Sequence, residues 1–227
     1  MNTFSRQLRS LVWKDLLIEA RTRESAVAGS VFALLVLVVF NFAFDLRVEN
    51  AAEVAPGVLW VTITFAGILS LGRAFSRERD RQTLDGLLLA PMDRSALYLA
   101  KTASNVMSML IVEAIALPAF VALFNLDVDF PRLLLSLLLG TLGFAIVGTL
   151  FAAMAAHTRA REVMLPLLLF PIQVPVVLAT VKTTGAAINM FGTPPADPGN
   201  WLGLLVAFDG IFLGLSVLLF DYAIGEE

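Results

Sequence analysis

Six long apolar runs dominate this chain, and few folds can accommodate them. A bilayer core about 30 Å thick is crossed by roughly 20 predominantly apolar residues as helix. Residues 25–44, 54–72, 133–156 and 163–181 carry no charge at all. Residues 102–126 and 199–220 carry one carboxylate each, Glu113 and Asp209. Hydrophobic residues make up 58% of the 227 and charged residues 15%, against about 45–50% and about 25% in soluble domains. Because the excess lies in runs, it predicts an all-α membrane protein rather than a large soluble core. The expected spans are about 25–44, 54–73, 102–126, 133–156, 163–181 and 200–220. The expectation is a single transmembrane domain over 1–227, since no remaining stretch would hold an enzyme domain.

The net charge of −3 says little; its distribution says more. Arg6, Arg9, Lys14, Arg21 and Arg23 precede the first span. Arg73, Arg77, Arg79, Arg81, Arg94 and Lys101 lie between the second and third, and Arg159 and Arg161 between the fourth and fifth. These are thirteen of the sixteen basic residues. The alternate connections hold only Arg47, Arg132 and Lys182, among acidic residues such as Asp45, Glu49, Glu53, Asp127, Asp129 and Asp197. Lys and Arg bias sets orientation, so both termini are expected in the cytoplasm. The chain has no cysteine, which excludes disulfides and thiolate metal sites. No cleavable signal peptide is evident: the first apolar run begins only after about two dozen mixed-charge residues and is long enough to span.

Residues 3–24 show helical spacing at Phe4, Leu8, Leu11 and Val12, with basic residues mostly off that face. This predicts an amphipathic helix in the membrane interface, or else a solvated lead-in to the first span. Asp15 and Glu19 fall on the apolar arc, one turn apart. Either they meet basic partners from another element or the helix turns there. Ala55-Pro56-Gly57 suits the opening of a helix, where the missing proline N–H costs nothing. Pro166, Pro171 and Pro175 should kink or break the fifth span. Thr141, Ala145, Thr149 and Ala153, with Gly148, Ala152 and Ala156 beside them, form small-residue stripes that let helices approach closely, for packing within the chain or, as the alternative, at a dimer seam. Breaker residues between 182 and 201 leave room for a short interfacial helix around 186–191.

Most catalytic signatures are missing. There is no GxxxxGK[ST], so ATP cannot be bound by that route. There is no GxSxG and no HExxH, and no metal site is expected. His157 is the whole supply of imidazole and reads as an ordinary interfacial histidine, with a ligand or proton role as the alternative. Glu113 is costly near the middle of a span and must face protein or water, or carry its proton. It is either a polar point on a substrate or conformational pathway, or an interhelical hydrogen bond to a Ser, Thr or Asn; spans four to six are its expected surroundings. Asp209, beside Gly210, poses the same choice.

Residues 73–101 are the most specific region. The segment is too long for a turn and carries charge followed by Leu84, Leu87, Leu88 and Leu89, before Pro91 and Asp93 break the chain. A solvated connector has no need of four leucines. A short charged helix with an apolar edge is suited to docking on a soluble partner. The pattern at 78–91, ER-D-x-x-T-L-D-x-L-L-x-x-P, resembles the coupling loop of ABC-2-type exporter membrane subunits. Lys14-Asp15-Leu16 with Glu19 and Arg21, Ala55-Pro56-Gly57 with Trp60, and residues 93–101 narrow the resemblance to the CcmB family, the haem exporter membrane subunit of cytochrome c maturation. The likeness covers essentially the whole chain and is strongest from 14 to 113. One departure is Gln82, where many members have Gly before the Ser or Thr.

The resemblance implies an ABC-2-type exporter fold with an N-terminal interfacial helix and a cytoplasmic coupling helix between spans two and three, in region 76–97. It places ATPase coupling on Arg77, Glu78, Asp80, Thr83, Leu84, Asp85, Leu87 and Leu88, and an N-terminal motif on Lys14, Asp15, Glu19 and Arg21. It implies a non-catalytic subunit in a bacterial inner membrane, with ATP held by a separate cytoplasmic ATPase. A second copy of the chain, a haem-handling membrane subunit, a small single-span subunit and a periplasmic haem chaperone are the other implied partners. No cofactor is expected on this chain itself, and haem would be the substrate of the complex. An ABC-2 permease for a drug, lipid or polysaccharide would share the architecture. An ion-coupled transporter using Glu113 would not need the leucine-edged loop, and an intramembrane enzyme lacks a convincing set of catalytic groups.

Overall fold

The structure, a computed structural model, describes residues 3–45, 51–74, 93–156, 161–188 and 199–225. They form helices α1 (Thr3–Thr22), α2 (Glu24–Asp45), α3 (Ala51–Ala74), α4 (Arg94–Leu123), α5 (Phe130–Ala156), α6 (Arg161–Ala187) and α7 (Gly199–Gly225). The last six are each long and apolar enough to cross a membrane. In hydrocarbon every backbone N–H and C=O must be satisfied within the segment, so runs of this length fold as helix.

Several helices outrun their apolar cores. Asp93 caps α4: its side chain accepts from the Ser95 N–H at 2.9 Å. Residues 94–97, expected to belong to the coupling region, are the first turn of α4, so the helix that contains the third apolar run starts at Arg94. At its other end α4 stops at Leu123, and Asn125 adopts a left-handed conformation with φ of 48°, one that Asn tolerates better than most residues. Residues 124–126 lie beyond the end of the helix. α3 starts at Ala51, so Pro56 sits in its second turn rather than at its opening.

α6 runs unbroken through Pro166, Pro171 and Pro175. Each proline removes one backbone bond and leaves the neighbouring ladder to hold the helix. The helix also passes the expected end at 181. Ala186 and Ala187 are its last residues, not the start of a separate interfacial helix, and Ile188 pairs with Val128 in an isolated antiparallel bridge. Positions 189–191 lie outside the described residues.

α3 and α5 form the centre. Their apolar windows are 67% and 72% buried, against 22% for both α2 and α7. The α5 stripe faces this interior: Thr141, Ala145, Thr149 and Ala153 are all buried. It packs within the chain. Gly140 shows why small residues are required: a side chain there would run into the Trp60 ring of α3 and the Thr180 methyl of α6. Trp60 in turn donates to the Thr184 hydroxyl at 2.8 Å.

Contacts between helix ends fix the alternation. At one end Lys101 of α4 meets Asp15 of α1, and Arg94 donates to the Asp221 carbonyl of α7. At the other, Asn41 of α2 donates to the Leu123 carbonyl of α4 at 2.6 Å, and the Asp129 N–H donates to the Ala187 carbonyl at 2.8 Å. The first end is the one the basic connections mark as cytoplasmic.

Candidate functional site

The sequence-derived coupling residues Arg77, Glu78, Asp80, Thr83, Leu84, Asp85, Leu87 and Leu88 lie outside the described residues, as does His157. The structure supplies the frame around that segment: the end of α3 at Ala74 and the capped start of α4 at Asp93.

The N-terminal motif resolves into separate tasks. Asp15 and Glu19 lie one turn apart on α1, and each meets another element. An Asp15 oxygen lies 2.9 Å from the Lys101 ammonium of α4, and the other lies 3.2 Å from Lys14. Lys101 is almost wholly buried, with a side chain 6% exposed. A buried ammonium is stable only when paired, so this contact ties α1 to the N-terminal end of α4. Glu19 accepts from the Ala26 N–H at 3.0 Å, satisfying one of the free donors at the start of α2. Between them the chain turns at Arg23, whose φ is 54°. Asp15 thus meets a basic partner, and the helix ends one turn beyond Glu19. Arg21 is exposed. The apolar face is split: Leu11 is buried and Leu8 and Val12 pack on the core, whereas Phe4, Trp13, Leu17 and Ile18 are exposed.

Inside the membrane region, Lys101, Asn105, Met109 and Glu113 recur every four residues and line one buried stripe of α4. Asn105 donates to the Thr149 hydroxyl of α5 at 2.9 Å. Glu113 is 4% exposed and accepts a hydrogen bond from the Thr141 hydroxyl through one oxygen. The other oxygen is buried without a hydrogen-bond partner among the described residues. Beside it lies a void of about 10 Å³ lined by Gly67 and Ser70 of α3 and Met109 of α4. Glu113 therefore sits among spans two, three and four; only span four belongs to the surroundings expected for it.

Asp209 of α7 is 6% exposed and lies against Gly143 of α5, where any side chain would collide with its carboxyl group. Neither of its oxygens has a hydrogen-bond partner among the described residues. Gln173 of α6 donates to the Phe144 carbonyl at 3.2 Å and lies 3.4 Å from that of Gly143. One turn of α5, residues 141–144, thus receives a polar side chain from each of α4, α6 and α7. Sequence reading found the two carboxylates, because charge stands out in an apolar run. It missed Lys101, Asn105 and Gln173 as site residues, although the four-residue spacing of the α4 set was there to be read.

The arrangement can anchor helices to one another and hold unpaired polar atoms inside the helix bundle. Among the described residues no group of three or more His, Cys, Asp or Glu could hold a metal ion.

Residues 6–226 match the family described as CcmB protein. The chain belongs to the CcmB family. Its relatives include the heme exporter protein B of Rhodobacter capsulatus, 30% identical over 75% of this chain and 79% of that protein. That of Paracoccus denitrificans is 28% identical over 92% and 94%, and that of Bradyrhizobium diazoefficiens 30% identical over 82% and 86%. The CcmB match spans all six membrane helices, the 75–92 segment and every polar residue described above. With its six apolar helices the chain is a multi-pass inner-membrane protein.

Proposed function

We propose that this CcmB-family chain is the non-catalytic membrane subunit of an ABC transporter in cytochrome c biogenesis. It couples ATP hydrolysis by a cytoplasmic partner to haem export, or to haem delivery to a periplasmic chaperone. The observation that carries this reading is the family match over residues 6–226, on a chain with six membrane-spanning helices. Relatives named heme exporter protein B, matched over most of their length, support it.

In this reading the ATPase docks on residues 76–89, with Arg77, Glu78, Asp80, Thr83 and Asp85 giving charge complementarity and Leu84, Leu87 and Leu88 the apolar edge. Two copies of the chain pair with two ATPase subunits, and a haem-handling membrane subunit and a small single-span subunit complete the complex. Both termini are cytoplasmic. α1 lies in the cytoplasmic interface, supported by the exposed Trp13, Leu17 and Ile18 alongside the exposed Arg9 and Arg21. Snorkelling basic side chains above an apolar face suit that depth. Glu113 and Asp209 are intramembrane polar points, and the Thr141 hydrogen bond to Glu113 ties α4 to α5.

Haem enters as substrate. With a single histidine and no cysteine the chain is poor in the commonest axial ligands, and in this reading haem ligation falls to a partner chain. The test is a strain lacking this gene, assayed for membrane c-type cytochromes by haem staining. Loss of covalent haem, restored by the intact chain, is expected. Normal cytochromes c, with loss of export of some other molecule, would establish the alternative ABC-2 permease instead.

A further inference from the structure

The proposed coupling segment leaves a mechanical question: what receives a movement applied at the start of α4? Lys101 lies two turns into α4, after the Asp93 cap, and is buried at 5% exposure. It pairs at 2.9 Å with Asp15 near the middle of α1. One turn further along α1, Glu19 holds the Ala26 N–H at the start of α2. The single left-handed residue Arg23 separates the two helices. Leu11, one turn before Asp15, is buried in the core. α2 and α4 also pack directly on each other, as the Asn41–Leu123 bond shows; α1 adds a second, polar connection between their cytoplasmic ends, through the Asp15–Lys101 pair and the Glu19 cap.

A buried ion pair is a poor way to add stability, because desolvation offsets most of its attraction, and apolar residues of similar size often serve as well. Its strengths are direction and register. It transmits a displacement between two helices that apolar contact would let slide. We infer that Lys101 and Asp15 are positioning residues, carrying the movement imposed at the cytoplasmic end of α4 into α1 and, through Glu19, into α2. This rests on the reading that the ATPase acts on the segment preceding α4, and deepens it.

The experiment uses the whole complex in native membranes. Lys101→Met with Asp15→Leu removes both charges of the pair together. Asp15→Lys with Lys101→Asp reverses the pair. Three quantities are measured: the amount of the chain in the membrane, recovery of the ATPase subunit with it, and c-type cytochrome formation. The neutral pair should keep the chain and the ATPase at wild-type amounts while cytochrome c formation falls at least tenfold; the reversed pair should restore it. Full cytochrome c formation in the neutral pair overturns the inference. So does loss of the chain itself, in parallel with activity, since the pair is then only structural. Failure of the docking reading shows elsewhere: Leu84→Asp would leave ATPase recovery unchanged whatever the Lys101 variants do.

Discussion

Replacing Thr141 with valine should damage the protein more than replacing Glu113 with leucine, although Glu113 is the residue that catches the eye. Thr141→Val keeps the volume but removes the donor to Glu113. Both carboxyl oxygens are then left at 4% exposure with no donor among the described residues. A buried polar group stripped of its partner costs about 1–3 kcal/mol. Glu113→Leu loses the same bond, worth about 0.5–1.5 kcal/mol net, but it also removes the oxygen that had no partner. The freed threonine hydroxyl can turn onto a carbonyl of its own helix. The void is negligible: about 10 Å³ at roughly 24 cal/mol per Å³ is about 0.2 kcal/mol. Glu113→Leu should therefore stay within about 1 kcal/mol of wild type, and the double variant should resemble it rather than the sum of the two. The assay is thermal unfolding in one detergent at one scan rate, where about 1 kcal/mol moves the midpoint by roughly 2–4 °C in a chain of this size. The reasoning fails if Glu113→Leu unfolds at a lower temperature than Thr141→Val. The carboxyl would then have a second required partner.

Gly140→Ala should lower the midpoint by the equivalent of about 1–3 kcal/mol, the usual cost of overpacking, because its methyl meets Trp60 and Thr180. Gly214→Ala, with nothing within 4 Å, should be neutral or raise it, by up to about 1 kcal/mol. Equal effects at the two sites would contradict the packing at α5. Arg6→Cys and Asn50→Cys, placed singly in this cysteine-free chain, test orientation. An impermeant thiol reagent added to the periplasm should label position 50 and not position 6; the reverse pattern overturns the topology and the docking reading with it.

What could be read from the sequence followed from what the bilayer enforces. Six runs had to become helices because lipid offers their backbones no other partner, and charge asymmetry sets the expected orientation. Helix ends were harder. Arg94 and Lys101 made the opening of α4 read as loop, because the carboxylate that accommodates Lys101 lies far away in the chain, on Asp15. Three prolines in α6 suggested a break, but each costs only one backbone bond in a helix of 27 residues. Glu113 announced its own burial. Its partner Thr141 did not, since that pairing depends on the register of α4 against α5. Gln173, uncharged inside an apolar run, gave little signal among the prolines.

The central claim is that this chain works as the membrane half of an ATP-driven machine, held to its motor through the segment before α4. The most direct test is purification of the tagged chain from native membranes, with the co-purifying ATP-hydrolysing subunit quantified for wild type and for Leu84→Asp. The account predicts stoichiometric ATPase with the wild type and its loss from the variant, because a lone carboxylate in an apolar contact is strongly disfavoured. Equal recovery from both, with cytochrome c assembly intact, would contradict it.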